Sequence, residues 1–134
     1  MRTYVLDASA LFALLEGKPG AIKVKGILQE AMRERADVLM SAVNYGEVYG
    51  TILRVYGQDR ALATMSAVQP LPIQIIAADT QRCCRAAEIK NRYKLYYADS
   101  FAAELALERK ATLVTSDSDF RRIAKAFPIL WLKP

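Results

Sequence analysis

Short apolar runs alternate along this chain with longer stretches of helical period. Tyr4-Val5-Leu6, Val38-Leu39-Met40, Ile73 to Ala77, Ala111 to Thr115 and Ile129 to Leu132 read as strands. Between them, Ser9 is expected to cap a short helix through Leu15, stopped by Gly17 and Pro19, and Ala21 to Arg35 reads as a second helix. Ser41 is expected to cap a helix to about Tyr56, ended by Gly57, with Asp59 to Val68 following and closed by Pro70 and Pro72. Asp79 or Thr80 caps a helix to about Tyr93, Ala98 to Lys110 forms the next, and Phe120 to Ala126 a short last one. Strands that alternate with helices predict a mainly parallel central sheet flanked by helices, an α/β/α sandwich. The pattern runs the length of 134 residues without repeat or linker, so one domain over 1–134 is expected. In such sheets ligands bind outside the carboxyl ends of the strands, which makes the residues just after each strand the ones to inspect.

Absent residue types narrow the chemistry. There is no histidine, which excludes a Ser-His-Asp triad, a Cys-His pair and every His-ligated metal site. The two cysteines, Cys83 and Cys84, are adjacent and form neither a zinc knuckle nor a disulfide framework. The uncharged stretch Ala61 to Ala78 contains Gln69, Pro70, Pro72 and Gln74 and is a poor membrane span. The N-terminal residues lack the apolar core of a secretion signal, so a soluble, cytoplasmic protein without membrane attachment is expected. Acid–base or metal chemistry therefore falls mainly to carboxylates.

Lys and Arg number 19 against 14 Asp and Glu, giving a net charge of +5. A basic chain is drawn to nucleic acid, anionic lipid or an acidic partner. Lys18, Lys23 and Lys25 cluster near one helix start, and Arg82, Arg85, Lys90, Arg92 and Lys94 crowd another segment. A solvated helix face is the default for each group.

Four acids fall where the sheet rule directs attention. Asp7 follows the first strand, Asp117 follows the fourth, Glu47 lies in the second turn of the helix capped by Ser41, and Asp99 opens the helix from Ala98. Glu47 stands among Tyr45, Val48, Tyr49 and Ile52, and Asp99 among Tyr96, Tyr97, Phe101 and Ala102. Burying a carboxylate in such company is costly unless it is paired or binds a cation. Carboxylates gathered without His or thiolate suit a hard cation, Mg²⁺ or Mn²⁺. Each acid also has a structural alternative: a turn residue, a snorkelling helix residue, a helix-dipole acid or an N-cap.

Tyr4-Val5-Leu6-Asp7-Ala8-Ser9 resembles the first motif of PIN-domain ribonucleases, and Ser41 followed by Glu47 is similar to their second. Tyr97-Ala98-Asp99-Ser100-Phe101 resembles the third, and Thr115-Ser116-Asp117-Ser118-Asp119-Phe120 the fourth. The short form of the chain looks most like VapC-type toxins of toxin–antitoxin pairs. This resemblance implies an endoribonuclease dependent on Mg²⁺ or Mn²⁺, in which Asp7, Asp99 and Asp117 hold the ions and Glu47 ligates one or orients water. Ser9 and Thr115 would support the first and fourth motifs, with Asp119 an accessory acid. Lys18, Lys23, Lys25, Arg82 and Arg85 are expected to hold the RNA backbone. A homodimer and a VapB-like antitoxin that occludes the site are implied as well. Three other readings stay open on the residues alone: a PIN-type nuclease of RNA processing or decay without an antitoxin, a phosphotransfer domain, and a non-catalytic binding module. The phosphotransfer reading needs a second Asp two residues after Asp7, where this chain has Ser9.

Overall fold

The computed structural model describes residues 1–133. Five strands, β1 (Arg2–Leu6), β2 (Ala36–Ser41), β3 (Gln74–Ile76), β4 (Thr112–Thr115) and β5 (Ile129–Trp131), form one sheet in the order β3-β2-β1-β4-β5. Every neighbouring pair is parallel. Six helices connect them: α1 (Ala8–Glu16), α2 (Ala21–Met32), α3 (Ala42–Tyr56), α4 (Gln58–Val68), α5 (Thr80–Tyr93) and α6 (Tyr97–Arg109). A 3-10 turn over Ser118–Ile123 leads from β4 towards β5. The expected α/β/α sandwich is therefore the observed one.

The central strands β1, β2 and β4 are buried on both faces, and the strand alternation sorts residues between them. Val5, Leu39 and Leu113 point to one face, where they meet Ala102, Ala103, Leu105 and Ala106 of α6. Tyr4, Leu6, Val38 and Val114 point to the other, against Ala10 and Ala13 of α1 and Val24, Ile27 and Leu28 of α2. Met40 joins a third group with Val48 and Ile52 of α3 and Ala61, Met65 and Val68 of α4. Helix α6 is buried from Ser100 to Ala106, and its alanines let it lie close on the sheet. Among the described residues no helix is long and apolar enough to cross a membrane.

Several boundaries differ from the expected ones, each for a local reason. Helix α1 is capped by Asp7, whose carboxylate accepts from the Ala10 amide, so Ser9 lies inside the first turn and is not the cap. Helix α2 ends at Met32 rather than Arg35, because Glu34 adopts a left-handed conformation with φ 58°. The chain is then free to start β2 at Ala36, which pairs with Arg2. The edge strand β3 is shorter than expected, since only Leu39 to Ser41 of β2 offers it partners. The last helical segment is a 3-10 turn that begins at Ser118, seeded by Asp117 accepting from the Asp119 amide. Gly20 is required by packing: at φ 97° it lies where a Cβ would come 2.7 Å from the Leu132 Cβ.

Candidate active site

The order β3-β2-β1-β4-β5 reverses direction at β1. The connections out of β1 build β2 and β3 on one side, and the chain then crosses over to β4 and β5 on the other. The carboxyl ends of β1 and β4 are neighbours at this switch point, where the connections diverge and leave a crevice. Leu6 pairs with Val114, and the Asp7 amide donates to the Val114 carbonyl at 3.4 Å. Asp7 and Asp117 are thereby brought to one edge from opposite ends of the sequence.

Asp7 is buried and held by three donors. Its Oδ1 accepts from the Ser9 hydroxyl at 2.7 Å and the Ala10 amide at 2.9 Å, and its Oδ2 accepts from the Thr115 hydroxyl. Ser9 in turn accepts from the Ser116 amide, and Thr115 from the Asp117 amide, both at 2.9 Å. Each hydroxyl has one proton, and both are directed at Asp7. The two hydroxyl oxygens, 3.2 Å apart, are therefore clamped side by side by a shared acceptor. Four donor-accepting positions on a carboxylate against three donors leave one lone pair on Oδ2. Burial pushes the Asp7 carboxyl up to about 6, and the Asp117 charge adds to this, against the lowering by Thr115, Ser9 and Ala10.

Asp99, Asp117 and Asp119 each present a carboxylate oxygen within 4.8 Å of the others, all three residues half-buried. Asp99 lies in the first turn of α6, Asp117 caps the 3-10 turn, and Asp119 lies within that turn. Burial, then the charges of Asp117, Asp7, Glu47 and Asp119, push the Asp99 carboxyl up to about 7. Asp119, expected only as an accessory acid, is thus a full member of the group, whereas Asp7 and Glu47 flank it. Glu47 does not sit in an apolar environment as its sequence neighbours suggested: Val48 and Ile52 turn inward and Glu47 is exposed. Its Oε1 accepts from Asn44 Nδ2 at 2.9 Å.

Asn44 escaped the sequence reading. It is buried on α3, and the same Nδ2 also donates to the Ala98 carbonyl at 3.0 Å, tying the second acidic motif to the start of α6. Its Oδ1 is buried without a partner. The available signal was an amide in the otherwise apolar face Asn44, Val48, Ile52, one turn before Glu47.

The cations expected on the RNA backbone differ in how free they are. Arg82 and Arg85 are engaged in ion pairs within the chain, Arg82 mostly covered and Arg85 partly exposed. Arg82 meets Glu104 at 3.0 Å and Glu108 at 2.9 Å, and Arg85 meets the same two acids at 3.0 Å each. Glu104 is only 2% exposed, so its charge needs both arginines, and these residues join α5 to α6. Lys18 pairs with Glu16 at 3.5 Å, Lys23 donates to the Trp131 carbonyl at 3.3 Å, and Lys25 is exposed. Asp79 caps α5 by accepting from the Arg82 amide, as expected.

The donor set fits a hard divalent cation. Three carboxylates converge without imidazole or thiolate, and the crowding that raises Asp99 is what such a cation relieves.

No curated protein matches the chain. Solved structures share its fold from end to end. DNA-bound VapBC from Salmonella typhimurium aligns with TM-score 0.77 at 19% identity, covering 98% of this chain and 99% of that one. VapBC2 from Rickettsia felis, bound to a DNA fragment from its promoter, aligns with TM-score 0.74 at 15% identity, covering 96% and 97%. VapC20 from Mycobacterium tuberculosis, a Sarcin-Ricin loop cleaving toxin, aligns with TM-score 0.66 at 19% identity, covering 92% and 95%. The PIN domain family model matches residues 4–126, nearly the whole chain, and on that match the chain belongs to the PIN domain family.

Proposed function

We propose that this protein is an endoribonuclease dependent on Mg²⁺ or Mn²⁺ and the toxin member of a toxin–antitoxin pair. The observation that carries the reading is the convergence of Asp99, Asp117 and Asp119 within 4.8 Å at the sheet's switch point, beside the buried Asp7. Asp99, Asp117 and Asp119 would hold the cation, with the remaining Asp7 lone pair available to it. When bound, a divalent ion lowers the pKa of a coordinated water and stabilises charge on the phosphate oxygens.

The chain's own residues do the rest. Asp7, gripped by Ser9, Ala10 and Thr115, locks the first acidic motif to the fourth, so the backbone carrying Asp117 and Asp119 is held in register. Glu47 presents an exposed carboxylate whose orientation is fixed by Asn44, suited to accepting a proton from an attacking water. The carboxyl of Asp99 binds a proton near neutral pH in the absence of a cation, so cation and proton compete for it.

A VapB-like antitoxin, a homodimeric state and a cytoplasmic location belong to the same reading. Their support is the likeness of the fold to structures that bear the names VapBC and VapC. The test is incubation of the purified protein with a panel of cellular RNAs, with Mg²⁺, with Mn²⁺ and with EDTA. Cleavage with either metal, abolished by EDTA and by Asp117→Asn, is expected. Intact RNA in every arm overturns the reading.

A further inference from the structure

Beside the acid cluster opens a second recess, a cavity of about 540 Å³ lined by Lys90, Asn91, Lys94, Tyr96, Asp119 and Arg122, with Leu95 at its floor. That volume falls within the range of small-ligand sites. Two separate segments wall it. One is the end of α5 and the short link to α6, where Lys94 takes a left-handed conformation with φ 57° and turns the chain into Tyr96. The other is the 3-10 turn after β4, which supplies Asp119 and Arg122. Asp119 belongs to both the acid cluster and this wall, so the cavity adjoins the cluster at that residue.

The chemistry of the walls is that of a nucleic-acid strand. Lys90 and Lys94 form no ion pair among the described residues, and Arg122 is braced across the cavity by donating to the Lys94 carbonyl at 3.0 Å, with Asp119 at 3.7 Å. Complementing the negative end of α5 accounts for lysines there, but not for an arginine arriving from a different segment. Tyr96 is 75% exposed, its side chain with no hydrogen bond or ring partner among the described residues, while its neighbour Tyr97, 42% exposed, is held edge-on against Phe101 and donates to the Cys83 carbonyl. An open aromatic ring amid three cations offers a base a stacking platform and its phosphates a positive track. A duplex keeps its base faces hidden, so the ring selects an unpaired strand.

We propose that this cavity docks the nucleotide next to the scissile phosphate of a single-stranded RNA, with Lys90, Lys94 and Arg122 on the backbone and Tyr96 under a base. The proposal rests on the nuclease reading above and replaces Arg82 and Arg85 as the RNA contacts.

The test measures binding of a short fluorescein-labelled single-stranded RNA of mixed sequence by anisotropy across a salt series. The Asp117→Asn protein serves as parent, so that the probe stays intact. Lys90→Gln with Lys94→Gln is expected to weaken binding at least tenfold and to reduce the slope of log affinity against log salt by about 1.4, two phosphates' worth for a single strand. Tyr96→Ala is expected to weaken binding about tenfold with the slope unchanged, and Tyr96→Phe to retain it. Lys110→Gln, at the opposite end of α6, is expected to bind as the parent does. With Asp117 intact, the same cavity changes should raise KM more than they lower kcat. If the wild type cleaves RNA while the cavity variants bind with unchanged affinity and slope, the docking site is overturned and the nuclease reading stands. Equal affinity for a duplex DNA probe also overturns it. A wild type that neither binds nor cleaves RNA overturns both.

Discussion

Replacing Asp99 by Asn separates a cation site from a merely structural acid. The substitution keeps the shape of the side chain and removes one charge from a group that includes Asp117, Asp7, Glu47 and Asp119. Burial and those charges raise the Asp99 carboxyl from 3.8 to about 7, so the folded protein holds this proton more tightly than the unfolded chain does. Between about pH 4 and pH 7 the folded state binds more protons, and metal-free stability falls as pH rises through that window. The full difference converts to about 4 kcal/mol. Asp99 is only half-buried, and solvent screening leaves roughly 1–2 kcal/mol of it. In EDTA at pH 8, Asp99→Asn should therefore melt roughly 3–10 °C above the wild type, and the gap should close by pH 4. Mg²⁺ at a hundredfold excess over its dissociation constant should stabilise the wild type by about 2.7 kcal/mol and the variant far less. If Asp99 instead serves only the dipole of α6, its loss lowers stability by about 0.3–1 kcal/mol and Mg²⁺ affects neither protein. Thermal melts in EDTA across pH, and across a Mg²⁺ titration at pH 8, decide between the two. A variant less stable than the wild type at pH 8, with both melting temperatures indifferent to Mg²⁺, refutes the reasoning.

Expression in a host lacking the antitoxin should arrest growth, and Asp7→Asn or Asp99→Asn should relieve the arrest; equal toxicity of all three proteins counts against catalysis by these acids. Thr115→Val removes the hydroxyl that donates to Asp7 and accepts from the Asp117 amide, so urea unfolding should show a loss of about 1–3 kcal/mol together with weaker RNA cleavage. Glu104→Gln leaves Arg82 and Arg85 without their buried partner and should cost about 3 kcal/mol in the same assay. Arg82→Gln should likewise lower stability while leaving the salt dependence of RNA binding unchanged, the reverse of what an RNA contact would do.

The layer architecture was legible in the residues alone, because strand and helix periods are local patterns that recur along the whole chain. The sequence also named the acids at the strand ends, since in a parallel sheet the residue after each strand must fall at one edge. Asp7 and Asp117 were legible for that reason. Helix ends were less so: α2 stops three residues early because Glu34 turns left-handed, and α1 is capped by Asp7 because its carboxylate reaches the Ala10 amide before Ser9 can serve. Packing alone settles which side chains share space across elements. Asp119 joins Asp99 because the 3-10 turn after β4 folds back over the start of α6, a contact between segments distant in sequence. Arg82 and Arg85 read as free cations until α6 brings Glu104 and Glu108 against them, and Tyr96 and Tyr97 look alike until Phe101 and the Cys83 carbonyl engage Tyr97 and leave Tyr96 the more exposed ring. A residue's type and spacing declare what it can do. Whether its charge, amide or ring is already satisfied depends on partners that only the folded chain assembles.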